Sequence, residues 1–184
     1  MGGQIEEVNR REVGGEPVAD LVVRHSALRG VAVDPAVVPS MVDEFPALFV
    51  AAALAEGTTV TTGLEELRIK ESDRISVMAA ALTLAGARAN ETADGLTIHG
   101  SGGEPLRGTT TDGGPVITHL DHRIAMSFLI LGMASKQPVS VDDASPITTS
   151  ALTRIMAGNG AGASGVVSFD LVLAIFVYDF VLSA

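Results

Sequence analysis

Arg68-Ile69-Lys70-Glu71-Ser72-Asp73-Arg74 sets three basic and two acidic side chains within seven residues. Lys70 and Arg74 stand four apart, and Glu71 and Arg74 three apart, so on a helix all three share a face. At a helix N-terminus they would lie beside free backbone N–H groups and the positive end of the helix dipole. Two cations there suit a phosphate or a carboxylate, and a carboxylate among them can move a proton. The plainer alternative is a solvated face of intrahelical salt bridges.

A second cluster, Asp121-His122-Arg123, leads into an almost wholly apolar stretch. Arg123 can grip a carboxylate through two parallel N–H groups. His122 can serve as an acid or hydrogen-bond donor near neutral pH. A capped helix start with an Asp–Arg pair is the alternative. The third candidate is Asp43, which sits in Ser-Met-Val-Asp-Glu-Phe-Pro between Met41, Val42, Phe45 and Pro46. A carboxylate in apolar surroundings has a raised pKa and can act as a base. N-capping explains it equally simply.

Such groups make a site only if the fold brings them together. Ala, Leu and Met enrichment predicts helices over residues 40–55, 71–84 and 119–134. The second shows one apolar stripe, Ile75, Met78, Ala79 and Leu82. The first and third are apolar nearly all round, which predicts burial. Ser40 with Asp43, and Thr118 with Asp121, form capping-box patterns at the first and third helix starts. Short β-rich runs are expected at 20–24, 30–33, 58–62, 96–99, 116–118 and 139–142, punctuated by Gly, Asp and Pro. The class is therefore mixed α/β.

A weak internal repeat supports this. The Asp43 helix followed by Gly57-Thr58-Thr59-Val60 echoes the Asp121 helix followed by Gln137-Pro138-Val139, at an offset near 78 residues. Met1-Gly2-Gly3, Leu84-Ala85-Gly86-Ala87 and Met156-Ala157-Gly158 each read as a helix end followed by a turn. About two copies of an α/β unit are expected, in a chain that begins just past a helix.

The chain has 184 residues, 47% apolar and 18% charged, enough for one core and far from a disordered composition. It has no Cys, which excludes disulfides, thiolate metal sites and thiol nucleophiles. A formal charge of −10 disfavours nucleic acid and anionic membranes as partners, so any anion must be held by a few placed cations. No signal peptide is read at the N-terminus. The apolar stretch from Val166 to Ala184 contains Asp170 and Asp179. Each aspartate would cost about 2.5–3.5 kcal/mol near a bilayer centre, so a buried strand pair or a sequence foreign to the domain is expected instead of an anchor.

Three segments, SMVDEFPALFVAAALAEGTT, GLEELRIKESDRI and THLDHRIAMSFLILG, together resemble the C-terminal domain of the 5-enolpyruvylshikimate-3-phosphate synthases, within the enolpyruvate transferase family. Their order and spacing match as well, and the similarity covers about residues 1–150, closest to the class II, glyphosate-tolerant branch. The resemblance implies an inside-out α/β barrel of repeated β-α-β units, of which residues 1–161 would hold about two. It implies transfer of the enolpyruvyl group of phosphoenolpyruvate to the 5-hydroxyl of shikimate 3-phosphate, in aromatic amino acid biosynthesis in the cytoplasm, without cofactor or metal. By resemblance, Asp43 would accept the hydroxyl proton and Glu71 would move a proton at the enolpyruvyl methylene. Lys70 would contact shikimate 3-phosphate, Arg74 and Arg123 would hold phosphoenolpyruvate, and His122 would assist.

The match has limits. Thr149-Ser150-Ala151-Leu152 replaces the family's Thr-Ser-Phe-Pro, no basic residue stands near Thr149, and residues 162–184 match nothing. The family's N-terminal domain, with a substrate-binding Lys-Ser pair, is not in this sequence. The chain is thus expected to supply about half a site, with a complementary N-terminal domain as partner. The alternative is an inactive fragment that binds phosphoenolpyruvate or glyphosate weakly. An enolpyruvyl transferase acting on a nucleotide sugar fits less well, because most of those use a Cys.

Overall fold

The computed structural model describes residues 1–109 and 113–149. The expected boundary between residues 1–161 and 162–184, the Met156-Ala157-Gly158 repeat and the apolar tail lie outside the described residues. The chain opens with an antiparallel hairpin, β1 (Gln4–Val13) and β2 (Glu16–Arg24). Gly14 and Gly15, at φ 65° and 90°, make its turn. Only the second half of β2 was expected from sequence. β1 is mostly exposed and rich in Glu and Arg, so it carries no apolar alternation to read.

A three-stranded antiparallel sheet follows, in the order β3 (Thr58–Val60), β5 (Gly95–His99), β4 (Arg88–Thr92). Here β4, Arg-Ala-Asn-Glu-Thr, escapes sequence reading because it is polar and mostly exposed. The runs expected at 30–33, 116–118 and 139–142 are not strands. They form isolated parallel bridges, Ala32 with Val60 and Val116 with Val141.

The helices stand where the composition places them, but each starts differently. The stretch expected as one helix over residues 40–55 is broken into the end of α1 (Val38–Met41), which follows a 3-10 turn at Pro35–Val37, a 3-10 turn at Val42–Glu44, and α2 (Phe45–Leu54). Pro46 is the cause: it has no N–H to give and its ring crowds the carbonyl four residues back. The cap is Asp34, which accepts from Ala36 N at 2.9 Å, while Ser40 Oγ turns back to Val37 O at 2.8 Å. The Ser40–Asp43 capping box is therefore not formed.

α3 runs over Arg74–Leu84, three residues later than expected, because Asp73 is its N-cap and accepts from Ser76 N at 3.1 Å. Lys70 is extended and ends a 3-10 turn at Glu65–Ile69, so Lys70 and Glu71 precede the helix instead of sharing its face. α4 runs over His122–Gly132. Its cap is Asp121, with the backbone turned into it by His119 and Leu120 at φ 53° and 63°. Thr118, expected to cap, instead donates N–H and Oγ–H to Asp142 Oδ1 at 2.9 and 2.7 Å.

The core lies among α2, α3, α4 and the three-stranded sheet. Phe45, Phe49, Ile75, Met78, Leu82, Leu96, Ile98, Ile124 and Phe128 are fully buried. Burial of each such side chain contributes about 1.5–3 kcal/mol. The stripe expected on α3 faces this core, and α2 is buried nearly all round, as its composition requires. Residues 35–54 are long and apolar enough to cross a membrane, but this is the core stretch containing α2. The mixed α/β class holds.

Candidate anion-binding half-site

Three loop-to-helix junctions meet at the Arg74 guanidinium. Arg74 is the first residue of α3 and is 1% exposed. Its Nε donates to Asp121 Oδ2 at 2.8 Å, its Nη1 to Asp43 Oδ1 at 2.8 Å, and its Nη2 to Glu71 Oε2 at 2.6 Å and Asp121 Oδ1 at 3.4 Å. Residues 31 and 47 positions away in sequence thus reach one side chain. The broken helix puts Asp43 there, since it lies in the 3-10 turn between α1 and α2. The late start of α3 puts Glu71 there, since the chain before Asp73 bends back over Arg74.

Arg123, the second residue of α4, joins the cluster from the other side. Its Nη1 donates to Glu44 Oε1 at 2.7 Å and to Asp43 O at 3.1 Å, and its Nη2 lies 4.0 Å from Asp43 Oδ2. Lys70 Nζ lies 3.7 Å from Asp43 Oδ1 and also pairs with Glu66. Asp43, Glu71, Lys70, Arg74 and Arg123 are therefore brought together. His122 is half-buried at the start of α4 and, among the described residues, engages no hydrogen-bond or ion-pair partner.

The expected raised pKa of Asp43 is overturned. Burial pushes its carboxyl up, but Arg123, Arg74 and Lys70 more than offset this and hold it below the ordinary aspartate value. The apolar neighbours in sequence point into the core, while Asp43 itself is 44% exposed and faces cations. Asp121 behaves alike: burial pushes it up, and Arg74, Ser72 and the α4 backbone bring it below the ordinary value. Burial pushes Arg74 down, and its carboxylates, Asp121 first, raise it above the ordinary guanidinium value. The hydrogen bond from Lys70 to Glu66 raises the Lys70 ammonium.

Sequence reading did not single out Asp121, Ser72, Glu44 or Glu66 for this cluster. Asp121 belongs to the charged triplet that the sequence marks ahead of a buried helix, but the sequence pairs it with Thr118 or Arg123 and not with Arg74. Chemically, the arrangement offers two partly exposed cations, Lys70 and Arg123, beside two half-exposed carboxylates, Asp43 and Glu71, over a buried guanidinium. Such a surface can bind a small anion and move protons next to it.

A family model described as EPSP synthase (3-phosphoshikimate 1-carboxyvinyltransferase) matches residues 1–151. The 3-phosphoshikimate 1-carboxyvinyltransferase of Novosphingobium aromaticivorans is 73% identical over 150 residues, 82% of this chain and 34% of that protein. That of Sphingopyxis alaskensis is 65% identical over 150 residues, 82% of this chain and 33% of that protein. The solved EPSP synthase from Acinetobacter baumannii superposes with a TM-score of 0.77 at 42% identity, covering 87% of this chain and 36% of that one. The chain spans about a third of the length of the curated relatives it matches. With a family model matched over residues 1–151 and a fold shared with a solved relative, the chain belongs to the EPSP synthase family.

Proposed function

We propose that this chain supplies one side of an active site that transfers the enolpyruvyl group of phosphoenolpyruvate to the 5-hydroxyl of shikimate 3-phosphate. The observation that carries this reading is the convergence of Asp43, Glu71 and Asp121, from three separate stretches, on Arg74 with Arg123 and Lys70 alongside. The hydroxyl oxygen bonds to C2 of phosphoenolpyruvate while a proton adds to its methylene carbon. The tetrahedral intermediate then loses that carbon's proton, and the C–O bond to phosphate breaks.

Asp43 accepts the hydroxyl proton. Its lowered pKa keeps it ionised at neutral pH, which a base requires. Glu71 gives and takes the proton at the methylene. Lys70 contacts the phosphate of shikimate 3-phosphate, Arg123 holds the phosphoenolpyruvate, and His122 assists from the adjacent residue. Arg74 also holds phosphoenolpyruvate, but only after Glu71 or Asp43 yields its place. Both carboxylates are about half exposed and can turn to solvent. The reaction so drawn uses no metal or cofactor, and the pathway context is cytoplasmic aromatic amino acid biosynthesis.

A complementary domain is the proposed partner. Five carboxylates, Asp43, Glu44, Glu66, Glu71 and Asp121, face three cations here, so the cluster alone is a poor anion trap. This favours a second reading for the isolated chain: weak binding of phosphoenolpyruvate or glyphosate without turnover. The test is phosphate release from phosphoenolpyruvate and shikimate 3-phosphate. It is run with the chain alone, then with the remaining two thirds of the Novosphingobium aromaticivorans relative added. Little release alone and marked release on complementation are expected. Ordinary turnover by the chain alone would contradict the half-site, and none on complementation would contradict the activity.

A further inference from the structure

Asp121 takes no part in the chemistry proposed above, yet its side chain is 0% exposed while Asp43 and Glu71 are 44% and 50% exposed. We infer that Asp121 is the permanent counter-ion of Arg74 and the positioning residue that fixes both anion-binding arginines. This rests on the half-site reading. Its two oxygens do different work. Oδ2 accepts from Arg74 Nε at 2.8 Å and from Ser72 Oγ at 3.0 Å. Oδ1 accepts from the backbone N–H groups of Arg123 and Ile124 at 3.0 and 3.4 Å, and from Arg74 Nη2 at 3.4 Å. One carboxylate therefore ties the first residue of α3 to the first turn of α4, and so sets the distance between the stems of Arg74 and Arg123.

Solvent access separates Asp121 from its neighbours. A guanidinium shut from water needs a counter-ion that never leaves, because an uncompensated buried charge is severely destabilising. Asp43 and Glu71 can exchange Arg74 for water, and an incoming phosphate or carboxylate can take the vacated N–H groups. Charge at Arg74 stays balanced throughout because Asp121 remains on the Nε edge. The fork of the guanidinium is divided: one edge is structural, and the rest is exchangeable.

The experiment follows the Nε–H signal of Arg74 by NMR in the full chain. The signal is expected to be protected from solvent exchange in the parent. It stays protected in the double variant Asp43→Asn/Glu71→Gln and loses protection in Asp121→Asn. Asp94→Asn, which removes a carboxylate from the Gly63 turn, controls for general destabilisation and leaves the signal unchanged. Loss of protection in the double variant, or its retention in Asp121→Asn, overturns the inference. Should Asp121→Asn fail to fold, the double variant alone decides.

A second arm titrates phosphoenolpyruvate. Asp121→Asn weakens binding at least about tenfold, while Asp94→Asn binds as the parent does. Equal affinity in Asp121→Asn and the parent overturns the positioning role. If the parent itself binds no phosphoenolpyruvate, the half-site reading fails, and the Nε–H pattern still judges the counter-ion.

Discussion

At the scale of single residues, Arg74 is the side chain on which the cluster depends. Replacing it with Gln keeps much of the volume but leaves Asp121 buried without its cation. Arg74→Gln is expected to destabilise the chain by about 3–5 kcal/mol, read by urea denaturation. A loss below about 1 kcal/mol would mean that Asp121 is compensated some other way. The same pairs set the acid response. Asp43 and Asp121 have lower pKa values folded than the ordinary 3.8, so the unfolded chain binds more protons as pH falls through that range. Their contribution is present in full above the unfolded value and is lost as pH drops through the folded values. Stability is expected to hold from neutral pH to about pH 5 and to fall steeply below about pH 4, by denaturation at successive pH values. A stability that rises below that point would contradict the ion pairing. The sequence marks Asp43, Lys70, Glu71, Arg74 and Arg123, which the fold brings together, but not that Asp43 faces cations, because its apolar neighbours point the other way.

At the scale of elements, helix ends place the site. Asp73→Ala removes the cap of α3 and is expected to cost about 1 kcal/mol in a thermal melt. It should also loosen the turn that carries Lys70 and Glu71; an unchanged melt would show that Asp73 does not fix that turn. The end of α2 is held differently. The 100–103 loop satisfies its last carbonyls, with Ser101 N on Ala53 O at 2.9 Å, Gly102 N on Ala55 O at 3.0 Å and Gly103 N on Leu54 O at 2.7 Å. A Cβ at Gly100 would lie 1.9 Å from Ala55 O, so the loop must shift and lose these bonds. Gly100→Ala is expected to cost about 2–4 kcal/mol by denaturation, and a neutral result would show that the loop can move freely. The helices were legible because apolar composition survives in the letters. Their starts were not, because Pro46, Asp73 and Asp121 act through local geometry that a spacing rule does not contain. β1 and β4 were missed for a related reason: both are polar, and strand pairing alone leaves no pattern of burial.

At the scale of the whole molecule, net charge and length govern what the chain can do. A formal charge of −10 and a cluster with more carboxylates than cations both oppose anion binding. The chain spans about a third of its relatives' length, and the half-site account looks to the remainder for further cations. The most direct measurement is therefore a titration of the chain with phosphoenolpyruvate, followed through its backbone amide signals. The half-site account predicts that Asp43, Glu71, Arg74 and Arg123 shift together with one weak, saturable affinity, while the β1–β2 hairpin stays still. Saturating shifts confined to other surfaces, or no shift at these four residues at millimolar ligand, would contradict it.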